Sequence, residues 1–150
     1  MEFDDEFSVG ASPEETWEFL LDPESLGGCI PDCQETEVLD EDTYRATVGV
    51  RISQFSLTFD LDIEILDQEP EQYLEVRVSG DSEQDDTRVE AIGTGELEAV
   101  EGGTRIEYEI QLNVTGRVMN LGSRIVTRVG ERRMNQTIAN IQQDLGELEG

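Results

Sequence analysis

From Phe55 to Ile65 every odd position is apolar (Phe55, Leu57, Phe59, Leu61, Ile63, Ile65) and every even position is polar (Ser56, Thr58, Asp60, Asp62, Glu64). Side chains alternate with this period along a strand, and so long a run of it leaves no continuous face for a helix. The neighbouring segments repeat the pattern. Tyr44, Ala46, Val48, Val50 and Ile52 alternate with Arg45, Thr47, Gly49 and Arg51; Leu74, Val76 and Val78 follow, then Val89, Ala91, Leu97 and Ala99, then Ile106, Tyr108, Ile110, Leu112 and Val114. Turn signals such as Glu101-Gly102-Gly103 separate them. Each strand keeps one wet face, so the sheet is antiparallel with a single covered side, because parallel sheets bury both faces. The acidic segment 81–86 reads as a solvated, mobile loop.

A sheet of this kind needs a cover, and residues 118–148 contain no proline. They can form a helix of about 45 Å at ~1.5 Å per residue. Its wheel carries two apolar stripes. Val118, Leu121, Gly122, Ile125 and Val129 form one; Met134, Ile138, Ile141, Leu145 and Leu148 form the other, turned roughly 160° away. Two readings follow. Either the helix bends or rewinds near Gly130 so that both stripes face the sheet, or it runs on and carries Arg133, Gln136 and Asn140 inward as a polar patch that holds the polar end of a ligand.

At the other end, Glu2 to Gly10 alternates weakly and reads as a first strand. Ser12-Pro13-Glu14-Glu15 is a capping box with proline at the first helical position, and Trp17, Leu20 and Leu21 share one face of the helix it starts. Asp22-Pro23 ends that helix, and Glu24 to Gly28 predicts a second short one. The expected fold is α+β: one domain over 1–150, a curved antiparallel sheet wrapped around a long C-terminal helix, with two short helices after the first strand.

Charge narrows the setting. There are 36 acidic residues against 10 basic ones, all arginine, for a formal charge of −26. Such a chain repels itself in dilute buffer, whereas molar salt shortens the Debye length to about 3 Å. This predicts a salt-loving host; an acidic protein that binds cations or mimics nucleic acid is the other reading. The sign argues against nucleic-acid binding. The opening Met1-Glu2-Phe3-Asp4-Asp5-Glu6 has no basic start and no apolar run, so no secretory leader is expected, and the protein is read as cytoplasmic. Cys29 and Cys33 alone cannot complete a zinc site, and they are expected as free thiols or as a local redox pair.

Four segments in order are similar to CoxG, the family of accessory proteins of carbon monoxide dehydrogenase: Trp17-Glu18-Phe19-Leu20-Leu21-Asp22-Pro23, Cys29-Ile30-Pro31-Asp32-Cys33, Gly103-Thr104-Arg105-Ile106-Glu107-Tyr108 and Leu121-Gly122-Ser123-Arg124-Ile125. The element order resembles the helix-grip fold of the wider START-like superfamily. Two departures stand out: Asp32 falls where glycine is usual, and Arg133 falls where an apolar residue is expected. The resemblance implies an accessory protein of a molybdenum hydroxylase that works in membrane recruitment or quinone handling, at the inner membrane face. Helix-grip cavities suit an apolar small molecule, quinone- or lipid-like.

On that reading Trp17, Phe55, Phe59, Tyr108, Leu121, Ile125 and Val129 are candidates for the cavity wall, although each also fits plain core, and Arg133, Gln136 and Asn140 are candidates for its polar end. No residue is assigned a catalytic or metal-binding role and no cofactor is expected, because the chain has no histidine to serve as a base near neutral pH. A cyclase-like enzyme and a ligand-free chaperone-like domain remain the alternatives. Residues 117–143 hold five arginines and one acid, Glu131. Arg117, Arg124, Arg128 and Arg132 fall within about 80° on the wheel and are expected as an exposed ridge beside the apolar stripe, either neutralising nearby acids or docking a partner enzyme or anionic headgroups.

Overall fold

The computed structural model describes residues 1–147. Seven strands, β1 (Glu2–Val9), β2 (Cys33–Val38), β3 (Thr43–Ile52), β4 (Phe55–Glu69), β5 (Tyr73–Ser82), β6 (Arg88–Val100) and β7 (Gly103–Thr115), form one antiparallel sheet in the order β1-β7-β6-β5-β4-β3-β2. The registers align the apolar alternation. Val48 faces Phe59, Ile63 faces Val78, Val78 faces Ala91, Ala91 faces Leu112 and Phe3 faces Ile110, so one face of the curved sheet is largely apolar, with Asp5, Ser82 and Thr104 as polar positions on it. On the opposite face four of the five strand arginines pair with acids, as in Arg45 with Asp62 at 3.0 Å and Arg88 with Asp81 at 3.1 Å.

Two short helices, α1 (Pro13–Leu21) and α2 (Pro23–Gly27), follow β1. The capping box works in part as read: Ser12 Oγ accepts from the Glu15 amide at 3.2 Å. Asp22 ends α1 and starts α2, accepting from the Glu24 amide and the Ser25 hydroxyl.

The long helix departs from expectation at its start. Gly116 and Gly122 hold φ of 104° and 98°, a left-handed region that glycine enters without the Cβ penalty. They bracket a 3₁₀ helix over Arg117–Leu121, and the α-helix, α3, runs from Ser123 to Leu145. Val118, Leu121 and Arg117 therefore do not share its wheel, and Leu148 lies outside the described residues. Nor does the helix rewind at Gly130, since α3 is continuous there. What the missing side chain provides is room: a Cβ at position 130 would stand 2.8 Å from Cζ of Phe3 on β1. The acidic segment 81–86 is also tied down, against expectation. Ser82 and Thr87 are buried, Gln84 accepts from the Thr58 amide at 2.7 Å, and Asp86 accepts from the Arg117 amide at 2.8 Å.

The buried core falls into two clusters at opposite ends of the inner face. One gathers Val9, Trp17, Cys29, Leu97, Ile106 and Ile141, closed by α1, α2 and the end of α3. The other gathers Ile52, Leu57, Phe59, Val118 and Val126 beneath the start of α3.

Candidate functional site

Between the two clusters the inner face is only partly covered. Along β4 burial is complete at Leu57 and Phe59 but falls to half at Leu61, Ile63 and Ile65; Val76, Val78, Ala91, Tyr108 and Ile110 are likewise half-buried. Two glycines show where the space lies. A Cβ on Gly95 would meet no atom within 4 Å, and one on Gly93 would meet only its sheet neighbours, Val76, Ile110 and the Glu109 carbonyl. At Gly95 no atom of α3 comes within 4 Å of that position. Between the two clusters that α3 joins, the apolar inner face of β4 to β7 is thus left partly open, and we call this stretch the cleft.

The long helix is held at both flanks. On one side the Arg133 guanidinium donates to the Pro31 carbonyl at 2.7 Å and the Asn140 amide donates to the Cys29 carbonyl at 2.9 Å, fixing α3 to the loop before β2. On the other, Gln142 donates to the Ser8 carbonyl at 3.1 Å, and the Gly10 amide donates to the Gly146 carbonyl at 2.7 Å. A helix anchored at its flanks can span a gap that its inward face does not fill.

The proposed wall residues divide. Tyr108 stands on the cleft floor, half-buried, edge-on to Phe7 with ring centroids 6.3 Å apart. Its hydroxyl bonds no other described residue, and burial together with Asp5 and Asp4 raises its pKa. Phe55, Phe59, Leu121 and Val129 belong to the cluster under the start of α3, and Trp17 to the opposite cluster; they close the two ends of the cleft. Ile125 is a correction, for it is 42% exposed on the outer side of α3. Of the polar trio, Arg133 and Asn140 are half-buried on the inward side and Gln136 is exposed, bonded to Asn140 at 3.0 Å.

The arginine ridge needs two corrections. Arg117 lies in the 3₁₀ helix, away from the others. Arg124, Arg128 and Arg132 are exposed on the face of α3 opposite Val126 and Ile141, so they point away from the cleft instead of rimming the inward stripe. None of the three has a carboxylate within 4.0 Å among the described residues, in contrast to Arg45, Arg77, Arg88 and Arg105 on the sheet. Arg51 on β3 likewise has none among the described residues.

The thiols are not set up for chemistry. Both are free; Cys29 is fully buried, and burial, then a hydrogen bond to Asp144 and the charge of that residue, push its pKa up to about 11. Among the described residues no three Cys, Asp or Glu side chains converge as metal ligands, and no helix is long and apolar enough to cross a membrane.

Reading the sequence missed the glycines. Gly93 and Gly95 occupy apolar positions of an alternating strand, and a glycine inside a strand marks a site where something else comes close.

Comparison with known proteins supplies the family. The family model for CoxG, a subunit of carbon monoxide dehydrogenase, matches residues 6–146. No curated protein matches the sequence. Among solved structures, a conserved protein from Geobacillus kaustophilus is similar at 25% identity, with a TM-score of 0.87 over 97% of this chain and 95% of that one. A protein from Rhizobium loti (16% identity, TM-score 0.72, 97% and 96% covered) and one from Thermus thermophilus (18%, 0.69, 97% and 97%) share the fold.

Proposed function

Because this chain belongs to the CoxG family of carbon monoxide dehydrogenase, we propose that it is a non-catalytic accessory module that carries an apolar, quinone- or lipid-like molecule in the cleft beneath α3. The observation that carries this reading is the open space over Gly95, on a floor of half-buried Ile63, Val78, Ala91 and Ile110. Exposed apolar surface of this kind costs about 25 cal/mol per Å² relative to burial, and a fitting apolar molecule recovers that free energy.

The family further suggests delivery of this cargo to a molybdenum hydroxylase at the inner face of a membrane. Arg124, Arg128 and Arg132 suit the docking step, because they form an unpaired cationic row on a protein of net charge −26. An isologous dimer through this face would set arginine against arginine, so the row fits an acidic partner better than a second α3. In molar salt only direct, bidentate contacts to carboxylate or phosphate persist.

The test is extraction. Protein purified gently in molar KCl is extracted with organic solvent, and the extract is analysed by mass spectrometry. A quinone or lipid at near-stoichiometric amount is expected. An empty extract, together with no saturable displacement of a lipophilic dye by a short-chain quinone, would refute the carrier reading and leave the ligand-free regulatory domain.

A further inference from the structure

Arg133 is half-buried on the inward side of α3. It lies one turn after Val129 and two after Val126, the residues that seal the adjacent cluster, so it continues their row along α3 toward the open stretch. One of its nitrogens, Nη2, donates to the Pro31 carbonyl; Nε and Nη1 bond no described residue, and no carboxylate comes within 4.0 Å among the described residues. Burial lowers the pKa of the guanidinium and Asp32 opposes that, so the cation is partly desolvated with only a carbonyl and a distant charge to compensate it. A half-buried cation is costly unless paired. In a chain with 36 acidic residues, the lack of an ion-pairing acid leaves the position open to an incoming anion.

We propose that Arg133 anchors the head of the cargo, and that the cargo is an amphiphile with an apolar body and an anionic acceptor head, a carboxylate being the simplest. This rests on the carrier reading and narrows it. The fixed guanidinium fork would offer its free edge to both oxygens of a carboxylate. The apolar body would lie over Ile63, Val78 and Ala91 toward Gly95.

The probes are dodecanoate and dodecan-1-ol, which share a chain and differ in the head, each titrated in molar KCl against a bound lipophilic dye. Wild type is expected to take dodecanoate about ten-fold more tightly than the alcohol or better. In Arg133→Met that preference should vanish while alcohol affinity stays; Arg133→Lys should keep part of it. Gln142→Ala loosens the other flank of α3 without removing the cation and should keep all of it, which separates head recognition from pinning of the helix. Equal affinity for the two probes in wild type, or an undiminished preference in Arg133→Met, would overturn the anchor while leaving a carrier of neutral molecules such as quinones. Failure of both probes and of the quinone would overturn the carrier reading as well. If Arg133→Met does not fold, Arg133→Gln, which keeps neutral donors, takes its place with the same expected loss.

Discussion

Phe3 on β1 lies against Gly130 in the middle of α3, its Cζ 2.8 Å from where a Cβ would stand. This contact fixes the height of α3 over one edge of the sheet. Gly130→Leu should displace the ring and destabilise the fold by about 1–3 kcal/mol. In Gly130→Ala a gain of about 1 kcal/mol in helix propensity works against the displacement of Phe3 and should leave stability near wild type. In a Phe3→Ala background the alanine substitution should become stabilising. Urea melts of the four proteins in molar KCl measure this as a double-mutant cycle; additive effects would mean that the two residues do not meet.

That glycine also shows what the sequence conveys and what it withholds. Strand alternation placed the apolar residues of β3 to β7 on one face, and the capping box located α1, because both are local patterns. The two stripes of the long helix could not be resolved in the same way. Without Val118 and Leu121 the stripes still lie roughly 160° apart on the wheel, and the structure sets them on either side of an inward face on which Val126 is buried and Gly130 meets Phe3, a residue more than a hundred positions away. Asp32 is a similar case. It holds φ 58°, in the left-handed region that favours glycine, a fact of backbone geometry that the residue name alone does not give. The cleft was expected from resemblance, but its most open point is marked by Gly95, which contributes nothing to an apolar pattern.

Salt should govern folding. At about 10 mM salt the Debye length is ~30 Å and the charge of −26 repels across the whole domain, whereas in molar KCl it is screened within ~3 Å. Against a margin of roughly 5–15 kcal/mol, the melting temperature followed by circular dichroism should rise steeply with KCl. A melting temperature unchanged down to 10 mM would contradict the salt-loving reading.

The arginine row makes few contacts within the chain, so its removal should spare the fold. Arg124→Gln, Arg128→Gln and Arg132→Gln together should shift stability by less than about 1 kcal/mol and leave ligand affinity intact. Co-purification with the partner enzyme, or co-sedimentation with anionic vesicles, should fall. Unchanged association, or loss of folding, would return the row to a structural role.

Alkaline pH should weaken the fold through Cys29. Its folded pKa of about 11 stands above the ordinary 9.0, so the native state holds the proton more tightly than the unfolded chain does. The stability this confers is fully present below pH 9 and is lost as pH rises toward 11, a change of ~2–3 kcal/mol at most. Cys29→Ser should flatten that part of the profile. In the folded protein at pH 8 the Cys29 thiol should resist alkylation; rapid modification there would show that it is neither buried nor protonated as described.

The central claim is that space exists over β6 and that the cargo occupies it. Gly95→Phe tests both parts in one variant, by chemical melts and dye displacement in molar KCl. If the cleft is open, the ring enters it at little or no cost in stability, and saturable binding of the dye and of the short-chain quinone is lost. A destabilisation of about 1–3 kcal/mol, the cost of overpacking a filled core, or binding that survives the substitution, would contradict the account.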